Sequence, residues 1–370
     1  MKNFIAFLIL AIAAAMVTWI DNAIGLKWAI LSVIGFGLGF TLSFSRFGIA
    51  FGWREMITKR SSYHVRIHLI TILTEIVFFT VCLSFAHALF NGDMVGNVSP
   101  IGVPFIVGAF LFGIGMQLAG VCASGTLYCC GEGNPRAWIV FIFFGVGTII
   151  SNHWKKPLNE TFHSQVVMAK DLTGNIWSGM FLNLALLALL FVLFVYTEYK
   201  KHGKIMPVFN TKELFWKDGR FTILTGGLII AVLNSSVVAI NGKAWTITGA
   251  IYNMSVHFAN LFGFESSSPL LQVPLFKDPM VGMFFLGLLG ATFSRCIIGN
   301  QNQTPVKVGS SMAAVLGGLL LGLGGVFAGC NLGGFFDGTA SGSLHGWVWM
   351  LMALAGSFIG IRLRPVFKMA

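Results

Sequence analysis

Long apolar runs separated by short polar or basic segments make up most of this chain. Ten of the runs are long enough to cross a hydrocarbon layer of about 30 Å, which takes about 20 helical residues. The pattern therefore predicts spanning helices near 4–20, 28–45, 67–90, 101–119, 136–151, 176–197, 221–240, 280–298, 310–328 and 344–361. The stretch 245–264 is interrupted by polar side chains and is predicted to be an interfacial or partial helix.

Composition agrees with an all-α integral membrane protein that forms a single membrane domain over residues 1–370. Hydrophobic residues account for 56% of the chain and charged residues for only 10%. The net charge of +11 could indicate a nucleic-acid partner, but the basic residues cluster in short loops beside apolar runs. That clustering is typical of cytoplasmic loops of membrane proteins, so nucleic-acid binding is excluded. The first run lacks a small-residue cleavage site before Asp21, which predicts a retained helix.

The basic loops also predict the orientation. Residues 54–66 and 200–220 are rich in Lys and Arg, and the tail adds Arg362, Arg364 and Lys368. These segments and both termini are expected in the cytoplasm, which places residues 91–100 outside. The loop 151–175 is a misfit, because it falls outside by this count although it carries Lys155, Lys156 and Lys170.

Two short motifs each occur twice, in the same order. Phe44-Ser45-Arg46 recurs as Phe293-Ser294-Arg295, and Cys122-x-x-Gly125-x-x-Tyr128 recurs as Cys330-x-x-Gly333-x-x-Phe336. We interpret them as an internal duplication, with Arg46 and Arg295 as repeat partners. Its predicted parts are a first half at 28–151, connecting helices and loops at 152–279 and a second half at 280–361. Because one more helix separates Arg from Cys in the first half, the cysteine segments are expected to enter from opposite faces, as in inverted pseudo-twofold repeats.

Cys122 and Cys330 lie in glycine-broken stretches inside these apolar runs. Within a bilayer, backbone groups without partners cost several kcal/mol, so an irregular segment must be buried in protein or line a watery cavity. The two breaks therefore predict a path or binding site, and transport is the leading functional class.

A thiol is a weak hydrogen-bond donor with a polarizable sulfur, suited to a soft anion such as a sulfur oxyanion with a terminal sulfur. A single buried Cys usually packs as a small apolar residue, but recurrence in two matched glycine frames favours a substrate role for Cys122 and Cys330. Gly125 and Gly333 would let a ligand approach backbone N–H groups.

Several other residues are candidate auxiliaries along the path. Gln117 and Asn331 are neutral donors near the two cysteines, whereas Arg46 and Arg295 either attract the anion or extend to the lipid headgroups. Glu75 is an intramembrane acid, interpreted as a proton-coupling site or as a hydrogen-bond partner of a neighbouring helix. Asp337 and His345 follow the second break and are candidates for orienting it. Cys296 directly follows Arg295.

Other kinds of site are not predicted. Cys129 and Cys130 are adjacent and are interpreted as packing residues or as residues with an auxiliary role, because dithiol exchange usually requires Cys-x-x-Cys spacing. Structural disulfides are not expected for cysteines in or beside spans. Met, His and Cys do not converge in metal-ligand spacing, so neither a metal nor another cofactor is expected. No nucleotide-binding motif is apparent.

The motifs resemble the YeeE/YedE sulfur transport family, whose members include thiosulfate uptake proteins and a selenium-related transporter. The resemblance is carried by residues 46–56, by 113–128 and by 328–336 with Ser343-Leu-His345-Gly-Trp347. It implies an hourglass-like, non-enzymatic protein of the bacterial inner membrane, in which short broken helices meet at the centre. Cysteine thiols would hand thiosulfate across by transient S–H hydrogen bonds, at positions matching Cys122 and Cys330. A small cytoplasmic sulfur-carrier (TusA-like) or sulfurtransferase partner is also implied.

One position departs from the family pattern. The family usually has a third relay Cys four residues after the first-half Arg, and Ala50 stands there in this chain. The predicted relay therefore has two thiols, unless Cys296 compensates. The alternatives are transport of a selenium compound and a membrane thiol oxidoreductase, and the latter would need two thiols close enough to form a disulfide.

Overall fold

The computed structural model describes residues 2–162, 164–209, 215–264, 268–299 and 307–369. Within these residues the regular structure is helical apart from one short antiparallel hairpin, β1 (Trp216–Lys217) with β2 (Arg220–Phe221), and isolated bridges. Ten helical stretches in the described part of the chain are long and apolar enough to cross a membrane. The all-α, ten-span architecture is therefore confirmed.

The helices are α1 (Lys2–Ile24), α2 (Leu26–Ser45), α3 (Ile49–Lys59), α4 (Tyr63–Leu83), α5 (Val103–Ala119), α6 (Ala123–Gly131), α7 (Pro135–Thr161), α8 (Ala169–Thr173), α9 (Ile176–His202), α10 (Ile223–Asn241), α11 (Ile247–Asn260), α12 (Pro279–Ile298), α13 (Val308–Ala328), α14 (Gly338–Ala340) and α15 (His345–Leu363). A π-helical segment covers Asn331–Asp337, and 3₁₀ turns cover Pro269–Gln272, Leu275–Lys277 and Arg364–Phe367. Several starts follow from local sequence. At α12, for example, Asp278 caps the backbone N–H groups of Met280 and Val281 behind Pro279.

Three boundaries differ from the sequence prediction. The basic loop 54–66 is helical up to Lys59 as part of α3, so the connection to α4 is only 60–62. Helix α4 ends at Leu83 instead of residue 90, and α7 continues to Thr161, through much of the predicted loop 151–175. The reason is that hydropathy detects the apolar part of a helix, whereas polar residues can continue its backbone hydrogen bonds beyond the apolar layer.

The loops gather at the two ends of the helix bundle. At one end, His202 Nε2 lies 2.9 Å from the carbonyl oxygen of Lys59, and Arg136 reaches the carbonyl of Ser310 at 3.2 Å. We call this end, with the basic segments, the basic face. At the other end, the opposite face, Ile101 N–H donates to the carbonyl of Gln165 at 2.9 Å. The three basic segments thus share one face, and the predicted cytoplasmic location of that face remains a prediction.

Glycines allow the central helices to approach at backbone distance. A methyl group on Gly35 of α2 would lie 2.6 Å from the carbonyl oxygen of Met283 in α12, and these two helices run in the same direction. Helices α5 and α13 run antiparallel, since Gly108 faces Gly324 and Gly115 faces Gly317. Alanine at such positions would force the helices apart.

In an inverted duplication, each contact between two helices has a counterpart in which the helices are replaced by their repeat partners. The helix packing shows such counterparts. Helix α7 packs along α13 as α15 packs along α5, and α2 packs on α12 as α10 packs on α4. This pattern favours longer halves than the sequence predicts, α2–α7 and α10–α15. It groups α10 and α11, from the predicted connecting region 152–279, with the second half. The boundaries 28–151 and 280–361 remain predictions.

Candidate functional site

Cys122 lies where α5 stops and α6 begins. Gly120 ends α5 in the left-handed region at φ 75°, which glycine adopts without steric cost. Cys122 follows in an extended conformation, φ −100° and ψ −168°, as the N-cap of α6. Its Sγ lies 3.3 Å from Ser124 Oγ, and its carbonyl accepts from the Thr126 hydroxyl at 2.8 Å. The thiol therefore sits at the start of a short helix, with a hydroxyl beside it.

Cys330 occupies a matching place between α13 and the π-helical segment. Gly329 has φ 75°, and Cys330 is extended at φ −102° and ψ −175° as the cap of that segment. Its Sγ accepts a hydrogen bond from the backbone N–H of Gly333 at 3.4 Å. Each of the two cysteines is only 2% exposed. The two breaks therefore share their backbone geometry but differ in what touches the sulfur.

The two breaks meet inside the protein. Asn331 Nδ2 lies 3.6 Å from Met116 Sδ in α5, and α6 contacts the π-helical segment. From Cys122, α6 leads to the basic face, whereas the segment after Cys330 leads to Ser343 at the opposite face, where it bridges to Met168. The thiols thus stand at the inner ends of short helices that come from opposite faces.

A cavity of about 320 Å³ opens at the opposite face and reaches Cys330 and Gly333. Its wall mixes apolar and polar residues and carries one lysine, and the polar residues include Asn97, Ser99, Lys155, Thr246, Thr248 and His345. Asn97 Nδ2 donates to the carbonyl of Gly333 at 2.5 Å. The Thr248 hydroxyl is buried and has no hydrogen-bond partner within the described ranges. This lining offers neutral donors and one positive charge to a small polar anion.

Gln117 and the glycines lie beside the thiols. Gln117 is fully buried, and its Nε2 donates to the carbonyl of Ala50 at 3.2 Å. Ala50 is therefore close to the end of α5 that leads to Cys122. A methyl group on Gly125 would lie 3.7 Å from Cys122 Sγ, and one on Gly333 would lie 3.8 Å from Cys330 Sγ. Both glycines leave space next to a sulfur.

The two arginines of the repeated motif lie together, not one at each cysteine. Arg46 forms an ion pair with Glu132, just after α6, at 2.9 Å. Arg295 lies against Gly133 of the same loop, and Ser43 Oγ lies 2.9 Å from Ser294 Oγ. Both arginines are therefore at the basic face. Helices that are partners in an inverted duplication run in opposite directions. Because α2 and α12 run in the same direction, Arg46 and Arg295 are not partners in such a duplication, in contrast to the sequence prediction.

Glu75 is linked to Asp337 through Asn234, a link that sequence reasoning missed. Asn234 Nδ2 donates to Glu75 Oε1 at 3.1 Å and to Asp337 Oδ1 at 2.5 Å. The three residues come from α4, α10 and the π-helical segment. The sequence signal was the presence of two acids in apolar runs, but their pairing is a property of the packing.

The remaining cysteines lie away from the cavity wall. Cys296 is in the last turn of α12 beside Arg295, and Cys129 and Cys130 are in the second half of α6. Cys130 is buried. All six cysteines are unpaired, so the structure contains thiols and no disulfide.

A sequence profile of the family described as sulphur transport matches residues 44–359, which include both cysteine segments. The chain belongs to the sulphur transport family. This confirms the recognition made from the sequence motifs.

Curated members of the sulphur transport family resemble this chain over most of its length. The thiosulfate transporter TsuA of Spirochaeta thermophila is 28% identical over 346 residues, covering 88% of this chain and 96% of that protein. TsuA of Escherichia coli is 22% identical over 330 residues, covering 88% of this chain and 91% of that protein. The probable transporter YedE of Escherichia coli is 29% identical over 154 residues, 37% of each chain. These relatives are named as transporters, not as enzymes.

Proposed function

We propose that this protein imports thiosulfate or a related sulfur-containing anion across the bacterial inner membrane, with both termini and the basic face in the cytoplasm. The observation that carries the proposal is the pair of buried thiols at the inner ends of two short helices, one thiol forming part of the cavity wall. The relatives named thiosulfate transporters support the choice of substrate, because they match both halves of the chain.

The anion would enter the cavity from the opposite face. Lys155 attracts it there, and hydroxyl and amide groups of the wall replace part of its hydration shell. The Cys330 S–H then donates to the anion, and the Cys122 S–H takes over on the other side of the contact between the two breaks. Conduction needs binding that is favourable enough to admit the ion and weak enough to release it. Weak, uncharged thiol donors meet that requirement better than a buried arginine would.

Release occurs at the basic face. Helix α6 leads from Cys122 to the loop where Glu132 pairs with Arg46 and where Arg295 lies. A small cytoplasmic sulfur-carrier (TusA-like) or sulfurtransferase would accept the anion or its sulfur there. Removal of the free anion on this side would favour net uptake.

Uptake of labelled thiosulfate tests the proposal directly. The protein would be expressed in a bacterial strain without its own thiosulfate and sulfate uptake, and growth on thiosulfate would be measured alongside. The double variant Cys122→Ala with Cys330→Ala should lose uptake and growth. Cys82→Ala, a thiol of α4 outside the site, is the matched control. Unimpaired uptake by the double variant would contradict the relay.

Serine variants separate transport from thiol redox chemistry. A Ser hydroxyl can still donate a hydrogen bond, so Cys122→Ser and Cys330→Ser should retain part of the uptake. An oxidoreductase that forms a disulfide would lose all turnover with either change. Competition by unlabelled selenium compounds during labelled uptake distinguishes a selenium transporter from a thiosulfate transporter.

A further inference from the structure

Two carboxyl groups share one amide in the interior of the bundle. Glu75 and Asp337 are both fully buried, and one oxygen of each accepts from Asn234 Nδ2. The second oxygens, Glu75 Oε2 and Asp337 Oδ2, have no hydrogen-bond partner within the described ranges. Each carboxyl therefore has one oxygen that is fixed by Asn234 and one that is open to a proton.

Electrostatic repulsion limits the protonation state of the two carboxyl groups. Two carboxylates this close repel each other, and burial penalises the charged form of each. In the described part of the chain neither carboxyl forms an ion pair, and the arginine of α4, Arg66, is bound instead to Glu198 at 3.0 Å. A neutral amide cannot balance two negative charges. The pair must therefore hold at least one proton.

Two histidines of α4 lie between this pair and the basic face. His64, His68 and Glu75 lie on one side of α4, at spacings of four and seven residues, which place side chains on the same helix face. His68 is 1% exposed, and neither of its ring nitrogens has a hydrogen-bond partner among the described residues. Its ring lies 6.2 Å from the ring of Phe336, the neighbour of Asp337. His64 is near the start of α4, at the basic face.

The surroundings contain few other titratable groups. His345 of α15 packs on Gly338, directly after Asp337, while its Nδ1 accepts from the backbone N–H of Ser99 at 3.2 Å. Cys330 caps the segment that ends in Asp337. At the other end, the His64 ring packs on the ring of Phe51 in α3, and Glu55 of α3 forms an ion pair with Lys59 at 2.9 Å. The carboxyl pair is thus connected by its own backbone segment to the thiol that forms part of the cavity wall.

We propose that Glu75, Asn234 and Asp337 form a proton-binding site that couples anion uptake to inward proton movement, with His68 and His64 relaying the proton to the basic face. This inference rests on the proposed function. An incoming anion at Cys330 adds negative charge next to Asp337, which strengthens proton binding by the pair. When the anion leaves towards Cys122, the proton is released along α4. The proton compensates part of the anion's charge, so uptake against an inside-negative potential becomes less costly.

Proteoliposomes that contain the purified protein and a pH-sensitive dye in the lumen test this coupling. Labelled thiosulfate added outside should acidify the lumen as it enters, and an acidic exterior should accelerate its uptake. Glu75→Gln and Asp337→Asn should each lose the acidification and the response to the pH gradient. Both variants should retain exchange of labelled for unlabelled thiosulfate at equal pH, which shows that they are folded. Asp21→Asn, which changes an exposed carboxyl of α1, is the control and should behave as the unmodified protein.

Three results would overturn the inference. The first is thiosulfate uptake by the unmodified protein without lumen acidification. The second is acidification that persists in Glu75→Gln. The third is loss of exchange in both carboxyl variants, because a site that binds only the proton is not needed for exchange at equal pH. Absence of both uptake and exchange in the unmodified protein would instead contradict the proposed function itself, and the coupling with it.

Discussion

The Cys122 and Cys330 segments have the same backbone design in different surroundings. Both cysteines cap a short helix in nearly identical extended conformations, φ −100° and ψ −168° against φ −102° and ψ −175°. Beyond the cap they diverge, because Cys122 begins an ordinary α-helix of nine residues and Cys330 begins a π-helical segment of seven. The two segments thus share the same break but not the same continuation.

The chemistry around the two thiols differs accordingly. Cys330 borders the cavity of the opposite face, and its segment ends in the acid that shares Asn234 with Glu75. Cys122 has Ser124 beside its sulfur, and α6 leads from it to the Arg46–Glu132 ion pair. In the proposed path the Cys330 segment would receive an anion from the cavity, and the Cys122 segment would pass it towards the basic face. The two matching backbone breaks thus carry different side-chain surroundings.

The largest effect is expected when either thiol is removed. Loss of one hydrogen bond to a charged group costs about 1.5–3 kcal/mol, which corresponds to a fall in uptake of about ten- to hundred-fold. Cys122→Ala and Cys330→Ala should both show it in initial rates of labelled thiosulfate uptake. Normal transport by either variant would contradict the proposal that the anion binds at the two cysteines one after the other.

Thiol labelling from the opposite face should separate the two segments next. A membrane-impermeant thiol reagent should modify Cys330 faster than Cys122, because only Cys330 borders the cavity of that face. The measurement is the labelling rate in variants that retain one of the two cysteines, and thiosulfate should slow the reaction of Cys330. Equal rates would mean that the cavity does not distinguish the two thiols.

A smaller effect is expected at the mouth of the cavity. Lys155 is exposed, and exposed charge pairs contribute about 0–1 kcal/mol, so Lys155→Gln should raise the KM for thiosulfate by up to about five-fold. Added salt should reduce the difference. Lys156→Gln is a close control, because Lys156 is the exposed neighbour and lies 4.0 Å from Glu160. A rise in KM of the same size in the control would show that Lys155 has no specific role in attracting the anion.

The smallest effect is expected from restoring a third thiol on the Cys122 side. Ala50 is buried, and its carbonyl accepts from Gln117 near the end of α5, so Ala50→Cys would place a further weak donor close to Cys122. The uptake rate should increase modestly. Ala50→Val changes the volume without adding a thiol and serves as the control. A decrease in both variants would show that packing at this position outweighs the added donor.

Much of the fold and part of the site could be predicted from the sequence. The ten spans follow from hydropathy, since each apolar run is long enough to cross the bilayer. The breaks at Cys122 and Cys330 follow from glycines within those runs. Helix α3 was not predicted from the sequence. Its charged residues, among them Arg54 and Lys59, make the stretch resemble a polar loop in a hydropathy pattern. These are local properties, encoded within a few turns of chain.

The tertiary structure alone decided which distant residues meet. Arg46 and Arg295 came to the same face because α2 and α12 run in the same direction. Glu75 and Asp337 share Asn234, 159 and 103 residues away along the chain, because three helical elements pack at one point. Lys155, a misfit in the predicted topology, became part of the cavity wall. Local propensity and hydropathy determine where helices begin and end, but close packing of glycine-lined helices determines which side chains lie together.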